Sequence, residues 1–171
     1  MPETPLTPGR LWKSMSSTQR LAAVHAFWRE EQATDEQLQA VMLIAQQKKF
    51  RTKSVLALDL ERRARHLASI VNLPDSLAAR ALIAYHLAEQ RPMMGAFLDA
   101  LGIAHEDGLI KEDNVAPDAS RLAPAAAQVA QQFPAADVAL YLSTLLCKDP
   151  ETWRGLADIV KGLSGVSGVR S

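Results

Sequence analysis

The chain has 171 residues, 19 Lys plus Arg against 19 Asp plus Glu, four His and one Cys. Balanced charge leaves no global attraction to nucleic acid or to an anionic membrane, so any such contact must come from a local patch. A lone thiol, Cys147, closes no internal disulfide, so nothing points to an oxidising compartment. The N-terminal residues lack the apolar run of a secretory signal. No stretch reaches the roughly 18 consecutive apolar residues of a membrane span. The expectation is a soluble cytoplasmic protein with no membrane contact. Its 28 Ala and 23 Leu outnumber 16 Val plus Ile, and that balance favours helices over strands.

In chain order, Thr7-Pro8 reads as a helix entry with a capping hydroxyl and Pro at the first helical position, followed by a short turn through Leu11, Trp12 and Met15. Ser16 or Ser17 caps a second helix whose stripe is Leu21, Val24, His25 and Trp28. Thr34 or Asp35 caps a third, with an inward face of Leu38, Val41, Met42 and Ala45. After the basic link 48–51, Thr52 opens a long helix to about Asn72, with Ala57, Leu60, Ala64, Leu67, Ala68 and Val71 inward.

Residues 75–90 are apolar nearly all round, as a buried central helix requires. Pro92 starts a shorter helix that Gly102 stops. The segment 105–117 is the longest irregular stretch and carries an Asp107-Gly108 turn signal. Ser120 caps the next helix, with Pro124 in its first turn and Leu122, Ala126, Val129, Ala130 and Phe133 on one face. Residues 135–147 form a second helix apolar nearly all round. Asp149-Pro150 opens the last, with Trp153, Leu156, Ala157 and Val160 inward. The Gly- and Ser-rich segment 162–171 reads as a flexible tail.

The fold expected is all-α: a compact bundle of about seven or eight helices with 75–90 and 135–147 innermost. Residues 1–161 form a single domain, with a subdivision near 105–117 as the alternative. No fixed-period repeat is present.

Chemistry-bearing motifs are sparse. The histidines, His25, His66, His86 and His105, include no pair at i, i+4, and there is no HExxH, Cys–His cluster or phosphate-binding glycine loop. No cofactor, metal or catalytic residue is therefore assigned. The acidic turn around His105, Glu106, Asp107, Glu112 and Asp113 lacks the alternating ligands of a calcium loop and reads as solvated. His86 lies on the most apolar helix and reads as a core histidine with a hydrogen-bond partner; a pocket beside it is the minority reading.

One segment has a clear charge signature. Residues 48–65 hold Lys48, Lys49, Arg51, Lys53, Arg62, Arg63 and Arg65 against Asp59 and Glu61, a local net of +5 with Phe50 inside it. The counterweight is 89–113, where Glu89, Asp99, Glu106, Asp107, Glu112 and Asp113 face only Arg91 and Lys111, a net of −4.

The functional expectation is a non-enzymatic helical protein–protein interaction module, self-association included. Its contact surface is Lys48, Lys49, Arg51, Lys53, Arg62 and Arg65. Nucleic-acid binding or regulation through 48–65 is the alternative. An enzyme or small-molecule binder with a pocket near His86 is the third reading.

Overall fold

The computed structural model describes residues 6–31, 34–111 and 115–169, with side chains through Leu163. The protein is 73% helical. Among the described residues it has ten α-helices and one two-stranded antiparallel hairpin. The chain divides into two units, Met1–Ala88 and Glu89–Ser171. The irregular stretch at 105–117 lies inside the second unit.

The first unit begins with α1 (Pro8–Ser14). Thr7 caps it by accepting the Arg10 N–H, and Trp12 is buried and donates its indole N–H to the Ile70 carbonyl at 2.7 Å. The Gly9 N–H donates to the Asp75 carboxylate at 2.9 Å; a Cβ at residue 9 would stand 2.8 Å from that oxygen and 3.2 Å from the Leu73 carbonyl, so a larger residue would push the carboxylate aside. Helix α2 (Ser17–Arg29) opens with a reciprocal capping box between Ser16 and Gln19. It packs against α5 (Leu60–Ala68). Helix α3 (Thr34–Lys48) packs on α5 and on the short α4 (Thr52–Ala57).

Two sequence expectations change here. The helix drawn from Thr52 to Asn72 is two helices, broken at Leu58 and Asp59. Asp59 takes an extended backbone and its carboxylate accepts the Arg62 N–H at 2.8 Å, so the local cap starts a new helix. Arg63 then reaches back and donates to the carbonyls of Leu56 and Leu58, which the end of α4 leaves open. Val71 and Leu60, expected inside, are exposed as a result. The split, together with the N-terminal turn forming its own helix, takes the helix number above seven or eight. The second change is a rotation of α3. Ala40, Val41, Ile44 and Ala45 are buried, while Leu38 and Met42 face outward at 52% and 57% exposure.

Helix α6 (Asp75–Glu89) buries seven residues, Leu77, Ala78, Ala81, Leu82, Ala84, Tyr85 and His86, more than any other helix of the first unit. In the second unit α9 (Ala135–Lys148) does the same with Val138 through Thr144. Both match the expected apolar helices. Leu145, the next residue, is only half-buried.

Helix α7 (Arg91–Leu101) ends at Gly102, which takes the left-handed conformation at φ 73° and closes the helix. The segment that follows is more ordered than its sequence suggests. Strands β1 (His105–Glu106) and β2 (Leu109–Ile110) pair with His105 opposite Ile110, and Asp107 and Gly108 both have positive φ. That is the tight Asp-Gly hairpin turn whose twist matches the strands. Asp118, not Ser120, caps α8 (Ala119–Gln132), so Pro124 lies in the helix interior rather than in its first turn. Phe97 packs edge-on to Tyr141 and against Trp153 in this unit's core. Helix α10 (Leu156–Val169) packs on α9. Its backbone is helical through Val169, and residues 170–171 of the expected tail lie outside the described residues.

Candidate interaction surface

The basic segment folds into a corner formed by the end of α3, the link to α4, α4 itself and α5. At the C-terminus of α3 the chain turns through Lys49, which sits at φ 57°, and the Phe50 N–H donates back to the Ala45 carbonyl at 2.9 Å. This is the left-handed helix stop that glycine usually occupies. A lysine there carries backbone strain of about 1 kcal/mol. Phe50 is 42% exposed, with its ring edge-on to His66 at 5.5 Å. Leu56 on α4 is exposed as well.

The cations of this corner divide into two groups. Arg62 and Arg65 pair within their own helix, at 3.9 Å to Asp59 and 3.1 Å to Glu61. Glu61 also meets His25 of α2 at 3.2 Å. Arg63 is half-buried; besides its two carbonyl bonds, its guanidinium lies 5.3 Å over the Trp28 ring. Lys48, Lys49, Arg51 and Lys53 differ: all four are exposed and, among the described residues, none has a carboxylate within 4 Å. The segment read as one patch of +5 is therefore four open cations on the α3–α4 side and three engaged arginines on α5.

The acidic segment is similarly reduced. The Nε2 of His105 contacts Asp99 at 2.7 Å, and its Nδ1 accepts the Gly108 N–H at 3.0 Å. The proton therefore sits on Nε2 and is donated to Asp99, and both ring nitrogens are occupied in holding the hairpin against α7. Glu106 pairs with Lys111 at 3.5 Å, and Arg91 donates to the Asp107 carbonyl. Glu112 and Asp113 lie outside the described residues. Among the described residues no group of three His, Cys, Asp or Glu side chains is placed to hold a metal ion, and no helix is long and apolar enough to cross a membrane.

His86 is in the core at 2% exposure, edge-on to Tyr85. Desolvation lowers its pKa to about 4, so the ring is neutral at ordinary pH. The neighbouring face of α6 lines a cleft of about 390 Å³ with Arg80, Ile83 and Leu87, closed on the other side by Glu30 and Glu31. Arg80 meets Glu30 across it at 3.3 Å, a link between α2 and α6.

Sequence reasoning missed the outward face of α3. Its stripe can be drawn through Leu38 and Met42 or through Ala40 and Ile44, and both drawings satisfy the helical period. No protein family matches this chain, and neither a curated protein nor a solved structure matches it.

Proposed function

We propose that this protein is a non-enzymatic helical interaction module that docks an acidic protein segment on the corner between α3 and α4. The observation that carries this reading is the set Lys48, Lys49, Arg51 and Lys53, exposed around Phe50 with no described carboxylate neighbour. Four like charges on so short a stretch repel one another and gain free energy when an anionic partner arrives. Exposed Phe50 and Leu56 add apolar contact area beside the charges, the combination that anchors protein interfaces. A duplex is the less suited polyanion. Phosphate neutralisation supplies most non-specific nucleic-acid affinity, and on a chain of zero net charge the acids elsewhere repel the same polyanion that the four open cations attract.

The test is fluorescence anisotropy with a labelled poly-Glu peptide and a labelled duplex of similar charge, across a salt series. The peptide should bind at low salt, weaken as salt rises, and lose at least about tenfold in affinity in the Arg51→Glu/Lys53→Glu variant. Reversing Arg62 and Arg65, already paired within α5, should change little. A duplex that binds more tightly than the peptide would favour nucleic-acid binding instead. No binding of either at low salt would end the interaction reading at this corner.

A further inference from the structure

The β1–β2 hairpin sits on α7 through its turn, and one peptide unit of that turn is gripped at both ends. The Asp107 carbonyl accepts from the Arg91 guanidinium at 3.1 Å, and the Gly108 N–H of the same peptide donates to His105 Nδ1 at 3.0 Å. On its other side the ring donates from Nε2 to Asp99 at 2.7 Å. The seat is close. A Cβ at residue 108 would stand 2.7 Å from the Met94 Cβ and 3.3 Å from the Arg91 carbonyl, at a φ of 88° that favours glycine. The imidazole lies against Gly95, where a Cβ would come within 3.2 Å of Cε1. The turn therefore covers Met94 and Gly95, both buried.

Only the neutral ring fits this arrangement. Nδ1 accepts through a lone pair, and an imidazolium has none, because both of its nitrogens are donors. Protonation sets an N–H against the Gly108 N–H, and an unmet donor facing a donor is relieved when the turn moves away. The Asp99 contact survives in both forms, since Nε2 donates in each. The His105 side chain is 14% exposed, so a proton can reach it. We propose that His105 is a pH-operated latch, which holds the 105–110 hairpin on α7 while the ring is neutral and releases its turn when the ring is charged. Release leaves the turn held through Arg91 and opens the Met94 face of α7. The neighbouring charges do not duplicate this device. Asp99 and Arg91 are the charged residues of α7, Glu106 and Lys111 pair with each other at 3.5 Å, Asp107 lies in the turn itself, and Arg121 of α8 donates to the Ala100 carbonyl. A histidine is the side chain whose charge ordinarily changes between about pH 5 and pH 8. The latch lies in the second unit and does not rest on the docking corner of α3 and α4.

Nuclear magnetic resonance on the full chain tests this, with the ring nitrogens and the backbone amides followed together from about pH 8 down to about pH 5. At the upper end the ring nitrogen shifts should place the proton on Nε2 alone, and the Gly108 amide should exchange slowly. As the ring charges, the Gly108 protection, corrected for the intrinsic exchange rate, should fall at least about tenfold along the ring's own titration curve. Amides of the buried Phe97 and Leu142 should keep their protection, which separates release of the turn from unfolding of the unit. His105→Asn puts an uncharged acceptor close to the Nδ1 position, so Gly108 should stay protected at both ends of the range. A charged ring beside a Gly108 amide as protected as before overturns the latch. A ring that stays neutral down to about pH 5 also overturns it. So does a His105→Asn chain whose Gly108 amide loses protection with pH as the wild-type one does, since another group would then be acting.

Discussion

Two residues carry a physical cost that points to what they do. His86 is the first. Its folded value of about 4 lies below its ordinary 6.5, because burial disfavours the charged ring. On acidification the unfolded chain therefore takes up this proton first. The stability held by a neutral His86 is full above pH 6.5 and is lost as pH falls from 6.5 toward 4, by about 3 kcal/mol. Urea melts at the two ends of that window should show the loss in the wild-type chain and a clearly smaller one in His86→Leu. Equal losses in the two chains would mean that the ring is charged inside the fold. Lys49 is the second. Lys49→Gly relieves the positive φ and should raise stability by about 1 kcal/mol in thermal or urea melts. The same change should weaken poly-Glu binding, which would show that the position gives up stability for charge.

The element scale is where local caps overrule periodicity. The apolar stripe from Ala57 to Val71 is continuous in the sequence, and nothing in its spacing marks a break. Asp59 interrupts it because a carboxylate that accepts a backbone N–H three residues on favours an extended cap over a helix interior. Asp59→Ala should cost about 1 kcal/mol in a urea melt, since the α5 start loses that bond and Arg63 loses the fixed loop it clamps. A value near zero would mean that Arg63 holds the corner by itself. The hairpin at 105–110 obeys the same logic in reverse. Its Asp-Gly turn is legible as a turn, but the pairing of two-residue strands depends on His105, whose two nitrogens join Asp99 of α7 to the Gly108 amide.

For the whole molecule, the apolar helices 75–90 and 135–147 were recognisable because a helix without a polar face has nowhere to be except a core. Each belongs to a different unit, α6 to the first and α9 to the second. Leu82 is fully buried and Leu140 nearly so. Leu82→Ala and Leu140→Ala should each cost about 2–5 kcal/mol, from lost transfer energy plus the cavity left behind. Hydrogen exchange can assign each loss to residues of its own unit. A cost under about 0.5 kcal/mol at both sites would remove α6 and α9 from the centre of their cores.

The all-α class, most helix starts and the two core helices follow from composition, capping residues and the 3.6-residue period, which are properties of the chain taken locally. Which side of α3 faces water does not. Leu38 and Met42 fit an inward stripe as well as Ala40 and Ile44 do, and the side with Ala40 and Ile44 is the one buried where α3 packs against α4 and α5. The basic segment was visible as charge, but its division into four open cations and three engaged arginines was not. Arg63 is committed by Trp28, which lies 35 positions earlier in the chain. Charge is carried by residues, whereas its availability depends on what the fold brings within about 4 Å of each one.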